Sequence, residues 1–395
     1  MRWMQTALAG VLVVLILLLL QPLQSQDKSF QVMEATISDV HNAYKSGTLT
    51  ARQLVQLYLD RIGAYDQKGP TINSVININP KALEEAGRLD AAMRSGFVGP
   101  LHGIPVVLKD MIDAAGLPTT YGSSIMKNFV PARDAFVVEK LKKAGAIVLA
   151  KVTLGEFAGG DTYGSLFGET HNPYDLLRTV GGSSGGTGAS VAANFSTVGI
   201  GQEGFASISR PAAWNNIVGL RPTPGLVSGG GLGPMTRTVA DLATVLDVIA
   251  GYDPESPETA LGVGQVPETY TRFLDANGLK GARIGILREP MGYFSEPQSA
   301  DFQIVTGVFR QSGCRIEGRR RGCGGSHRDS SLECSPGEET SGRRKTVRHA
   351  NGQQGSAGTQ RRDQPVSQSD SELLVQDAAG GSERARKTQP RNGGV

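Results

Sequence analysis

No cysteine stands before residue 314 in this chain of 395 residues; its three, Cys314, Cys323 and Cys334, all fall near the C-terminal end. A disulfide framework is excluded for the body, which must stand on its hydrophobic core. Histidine is nearly as scarce, with only His41, His102 and His171 before residue 314. A Ser-His-Asp triad needs one of them beside a serine and a carboxylate, and no Gly-x-Ser-x-Gly elbow surrounds Ser207. His102 and His171 therefore read as structural. No charge of one sign dominates: 40 basic and 37 acidic residues leave +3. That balance argues against a nucleic-acid partner, for which a basic face and a domain pI above about 9 are expected.

The two ends differ from the body. Arg2 precedes an apolar run at 7–20, followed by Gln21, Gln24 and Gln26. An apolar core of about 7–15 residues behind a charged start fits a secretory signal, whereas a spanning helix wants ~20 residues. Residues 1–25 read as a cleaved signal peptide first and as a membrane anchor second. Either way an exported protein is expected, periplasmic or secreted, with membrane attachment through 7–20 in the second case. From 314 to Val395 no Phe, Tyr or Trp occurs, and Arg, Gly, Ser and Gln dominate. So little apolar surface cannot offset the entropy of ordering, so 314–395 is expected to be disordered. It reads either as a natural tail or as the product of a reading-frame shift after about Gln311; the abrupt change favours the shift.

Between the ends, strand and helix patterns alternate. Residues 34–66 suggest two helices, with Thr50 capping the second and Leu54, Leu57, Tyr58 and Ile62 on one face. Strands are expected at 74–78, 104–108, 146–150 and 283–287, and helices at 81–93, with Pro80 in the first turn, and at 134–144, 239–250 and 300–309. This alternation favours an α/β fold: a mixed central sheet with helices on both faces.

The chemistry concentrates in three segments. The first runs from Gly99-Pro100-Leu101-His102-Gly103 through the apolar strand to Lys109-Asp110. The second is Gly181-Gly182-Ser183-Ser184-Gly185-Gly186-Thr187-Gly188. The third is Gly201-Gln202-Glu203-Gly204-Phe205-Ala206-Ser207-Ile208-Ser209-Arg210-Pro211. With no histidine available, a lysine serves as base if burial favours its neutral form. Lys109 ends an apolar strand, and alternation turns Asp110 to the other face. The glycine-serine loop lacks the lysine of a phosphate-binding loop. Ser183 there can relay a proton, and Ser207 is the natural nucleophile. The N–H groups of Gly204, Phe205, Ala206 and Ser207 can face a developing oxyanion. Ser184 and Thr187 read as hydrogen-bonding supports of the loop. Glu203 reads equally as an organiser of the nucleophile's strand or as a solvent-facing side chain. Taken singly, Lys109 is an ordinary strand-end lysine and Ser207 an ordinary serine; only their combination carries the inference.

These segments, in order and type, resemble the signature of the amidase family. The resemblance implies a Ser–cis-Ser–Lys triad: the lysine at Lys109, the cis-peptide serine at Ser183 and the nucleophile at Ser207. It continues through residues 215–223 and 233–239 and covers about 29–313, implying a single amidase domain there, incomplete at its C-terminal end. Three departures stand out. Phe205 and Ala206 occupy positions where many members have two glycines. Ser209, followed by Arg210, stands where many have arginine. The stretch between Val227 and Gly233 is short. The resemblance implies hydrolysis of a carboxamide, small or peptidic, without metal or organic cofactor. It leaves open two further readings, the glutaminase subunit of a tRNA-dependent amidotransferase and an inactive truncated homologue. It assigns no substrate and no oligomeric state.

Overall fold

The computed structural model describes residues 30–287 and 299–319. The leader at 1–25 and the stretch from 320 onward, with the expectations attached to them, lie outside the described residues.

Two helices open the described chain, and their limits follow from local chemistry. The first, α1 (Ile37–Ser46), starts at a capping box in which Thr36 and Asp39 each satisfy the other's backbone N–H. It stops at Gly47, whose φ of 71° suits only glycine at low cost. The second, α2 (Ala51–Tyr65), has the expected Thr50 cap, reciprocated by Gln53. It buries Leu54, Val55, Tyr58 and Ile62, a helical-period stripe. Each such side chain contributes roughly 1.5–3 kcal/mol of transfer free energy. Strand β1 (Val75–Ile78) follows, then α3 (Ala82–Ala92). Pro80 falls just outside α3, before its N-cap residue Lys81, and not in its first turn.

Strands β2 (Pro105–Lys109) and β3 (Ile147–Val152), joined through α4 (Phe136–Lys143), are buried along their whole length. The expected end of β3 at residue 150 falls two residues short. Lys151 looks like the polar end of a strand, but it is covered because a carboxylate meets it.

Small two-stranded ribbons follow: β4 (Tyr163–Gly164) with β5 (Gly168–Glu169), and β6 (His171–Asn172) with β7 (Asp175–Thr179). Then come α5 (Gly185–Ala192), β8 (Val198–Gln202), α6 (Ser209–Trp214), β9 (Val218–Gly219), β10 (Leu232–Thr236) and α7 (Val239–Ile249). The main sheet has the order β1-β3-β2-β8-β10-β9. Its centre, β3-β2-β8, is parallel, and the flanking pairs are antiparallel. The chain steps one way from β2 to β3 and the other way from β3 to β8. Right-handed crossovers then require α4 and α5 on opposite faces. Helix α5 packs across the middle of its face, against β2, β3, β8 and β10, while α7 lies beside α4. The close approach of α5 explains its glycines: a side-chain carbon on Gly186 would collide with Thr153.

The described fold does not stop at residue 313. Strand β11 (Arg283–Leu287) pairs in parallel with β12 (Arg315–Arg319), joined through α8 (Ala300–Gln311), and Cys314 is buried just before β12. Residues 314–319, expected to be disordered, thus include a paired strand. Composition averaged over a long arginine-rich stretch cannot resolve a strand of five residues. No helix among the described residues is long and apolar enough to cross a membrane.

Candidate active site

Lys109 is the last residue of β2, hydrogen-bonded in its ladder to β3 on one side, with β8 on the other. Its side chain is wholly buried. The Nζ donates to Ser183 Oγ at 2.7 Å and to the Gln202 carbonyl at 3.1 Å. Burial pushes the ammonium down to about 7, against the opposing pull of the Glu203 carboxylate. Roughly half of the molecules then carry an uncharged amine at neutral pH.

Ser183 sits in the segment that leads into α5. Its peptide bond to Gly182 is cis, as the resemblance implies. The Ser183 Oγ accepts from Lys109 and donates to Ser207 Oγ at 3.0 Å, twenty-four residues on. Loops hold this segment from both sides. The Gly155 N–H donates to the Ser183 carbonyl at 3.0 Å, and the Thr162 N–H to that of Gly181 at 3.1 Å. Ser184 binds the end of β8 twice, donating to the Gln202 carbonyl and accepting its N–H, while its own N–H donates to the Ser207 carbonyl. Thr187 makes a longer contact, 3.4 Å, to the Ile200 carbonyl. Both side chains hydrogen-bond to β8, Ser184 at the shorter distances.

Ser207 lies in the turn between β8 and α6, half-buried. Glu203 organises that turn. Its Oε2 accepts the N–H groups of Ile208 and Ser209, each at 2.7 Å, and the Ser209 hydroxyl at 3.0 Å. Burial would push this carboxyl up, but the donors from Ser209, Ile208 and Ala206 bring it below the usual range. Of the four N–H groups expected to face an oxyanion, that of Ala206 is therefore turned toward Glu203. Those of Gly204, Phe205 and Ser207 have no protein acceptor among the described residues. Ala206 has φ +57°, a left-handed conformation that costs a side chain about 1 kcal/mol over glycine. The Phe205 side chain projects into solvent.

The three segments singled out in the sequence thus meet at the C-terminal ends of parallel strands, where open α/β sheets place their ligands. The histidines do not join them. His102 is buried against Phe97, its Nδ1 accepting the Val98 N–H, and His41 reaches the His102 carbonyl. His171 contacts the Leu176 carbonyl.

Two features escaped the sequence reading. Asp110 does turn from Lys109, but the alternation argument missed its destination, an ion pair with the fully buried Lys151 at 3.0 Å. The one signal available was a lysine inside the otherwise apolar 147–152 run. Arg210 pairs with Asp161 beside Gly182 and lies over the Trp214 ring; nothing in the local sequence links positions 161 and 210.

The family described as Amidase matches residues 53–318 of this sequence. The chain belongs to the amidase family. Among relatives, it is 41% identical to a subunit of glutamyl-tRNA(Gln) amidotransferase from Gloeothece citriformis over 280 residues, 68% of this chain and 56% of that protein. Among solved structures, native peptide amidase from Stenotrophomonas maltophilia is similar at 40% identity with a TM-score of 0.69, covering 73% of this chain and 63% of that one. An amidase family protein from Bacillus anthracis gives 33% identity and a TM-score of 0.69, covering 75% and 63% respectively. This amidase chain spans about half the length of the curated relatives it matches.

Proposed function

We propose that this chain hydrolyses the C–N bond of a carboxamide through an acyl-enzyme on Ser207. The observation that carries the reading is the unbroken hydrogen-bond chain Lys109–Ser183–Ser207, with links of 2.7 and 3.0 Å, beginning at a buried amine. Neutral Lys109 takes the Ser183 proton as Ser183 takes that of Ser207, and the Ser207 oxygen attacks the amide carbon. The free N–H groups of Gly204, Phe205 and Ser207 stabilise the oxyanion. Ser183 then protonates the departing nitrogen, recovering its own proton from Lys109. Ammonia or an amine leaves, and water releases the acid by the same relay. The assay is a panel of aliphatic, aromatic and peptide carboxamides with wild type and Ser207→Ala. Turnover that survives the substitution ends this reading.

A second reading has its own support: relatives at about 40% identity are named as a subunit of glutamyl-tRNA(Gln) amidotransferase. In that role the same serine would release ammonia from glutamine for a partner protein. Co-purification with a partner and tRNA would favour it. The apolar leader at 7–20 supports export and thus the first reading; recovery of the chain only from cytosol would remove that support.

A further inference from the structure

The amidase site uses one buried lysine, and a second lies on the next strand. Lys151 of β3 and Asp110, the residue after Lys109, have side chains with no solvent exposure. Lys151 Nζ meets Asp110 Oδ1 at 3.0 Å and also donates to Thr119 Oγ1 at 2.8 Å and the Pro118 carbonyl at 3.2 Å. The other Asp110 oxygen accepts the Thr120 N–H at 3.0 Å and the Thr120 hydroxyl. The Asp110 carbonyl accepts the Tyr121 N–H, and the Tyr121 carbonyl accepts that of Phe157. Apart from the ion pair itself, the side-chain hydrogen bonds of the two residues go to the 118–121 loop, and none reaches Ser183 or Ser207.

We propose that Lys151 is a positioning residue for Lys109: it draws the Asp110 carboxylate into the 118–121 loop and cancels a negative charge adjacent in sequence to the base. This rests on Lys109 acting as the base. A buried carboxylate left unbalanced one residue away would favour the protonated amine, because opposite charges attract strongly in a medium of low polarity. Among the described residues, Lys151 is the one cation at ion-pair distance from Asp110. The loop after β8 presents Glu203 to Lys109, while the residues after β2 present Asp110 and Asp113 to Lys151. Tyr121 lies beside Asp110 and Asp113. Helix α5 carries no titratable side chain. Lys151 is then the single cation among these groups besides Lys109 itself. Burial lowers the Lys151 ammonium, while Asp110 works to keep it charged.

The test is an NMR titration of Lys109 in the full chain carrying 13C at the lysine Cε positions, beside the pH profile of carboxamide hydrolysis. Lys151→Met should raise the Lys109 midpoint by about one to two pH units and carry the acid limb of the profile with it. Asp110→Asn/Lys151→Met should bring both back toward wild type. A purely structural pair would lower turnover in both variants and leave the midpoint where it was, and that result overturns the proposal. Should Lys151→Met fail to fold, Asp110→Asn replaces it: an unbalanced Lys151 should lower the Lys109 midpoint, and an unchanged or higher one overturns the proposal. Wild-type Lys109 titrating near its ordinary 10.5 would instead defeat the assignment of Lys109 as base.

Discussion

Neighbouring strands of one sheet each bury a lysine, and the two surroundings were built for opposite ends. At the tip of β2, Lys109 has a hydroxyl and a carbonyl within reach and, among the described residues, Glu203 as the one carboxylate acting on it. On β3, Lys151 has a carboxylate at 3.0 Å as well as a hydroxyl and a carbonyl. Burial lowers both ammonium groups; at Lys151 the opposing carboxylate is in direct contact. A lysine held by neutral oxygens can give up its proton, and one locked to a carboxylate keeps it and becomes a fastener. Burial alone therefore does not mark a catalytic lysine; the set of partners does.

The comparison breaks most visibly in turnover. Lys109→Met should reduce carboxamide hydrolysis by about a thousandfold or more, since the relay loses its base; ammonia release measures it. The next effect is on stability. Lys151→Met leaves a buried carboxylate unpaired and should cost about 3–5 kcal/mol in denaturant unfolding. Lys109→Met should stay within about 1 kcal/mol of wild type, because an apolar chain replaces a poorly compensated amine. Equal destabilisation by the two substitutions would erase the distinction.

A finer test uses pH. The folded-state Lys109 is lowered to about 7 from 10.5, so between those values the unfolded chain holds a proton that the folded chain has released. Stability from this site must then rise with pH across the window. The gap between wild type and Lys109→Met should shift in favour of wild type from pH 7 to 10, followed by urea midpoints; a flat gap contradicts it. The smallest effect concerns the neutral partners. Thr119→Val, which strips Lys151 of its hydroxyl, should cost about 1 kcal/mol, and Ser183→Ala less, because Lys109 tolerates the neutral state.

The same contrast explains what could be read from the sequence. Lys109, Ser183 and Ser207 were legible because each sits in a dense, ordered motif, and because a histidine-poor body leaves few other bases. Of the sheet's three central strands, β2 and β3 were legible because 104–108 and 146–150 are apolar runs, and β8 was not expected. The partner of Asp110 was not legible: alternation says which way a side chain leaves a strand, not which residue waits there. The Ala206 N–H was assigned to the oxyanion because local order cannot reveal that Glu203 bends back to collect it. Strand β12 was lost because Arg315–Arg319 shares the composition of the arginine-rich stretch beyond it and is revealed only by its parallel partner β11.

The placement of β2 has a mechanical meaning. A strand with a ladder on each side can shift only if both ladders open together, so the amine at its tip is anchored to a strand held from both sides. Backbone amides of Val107 and Leu108 should be among the last to exchange with heavy water, and those of the 204–207 turn among the first. Whatever adjustment a bound substrate demands must come from the turn that carries the attacking oxygen, with the proton acceptor serving as the fixed post against which it moves.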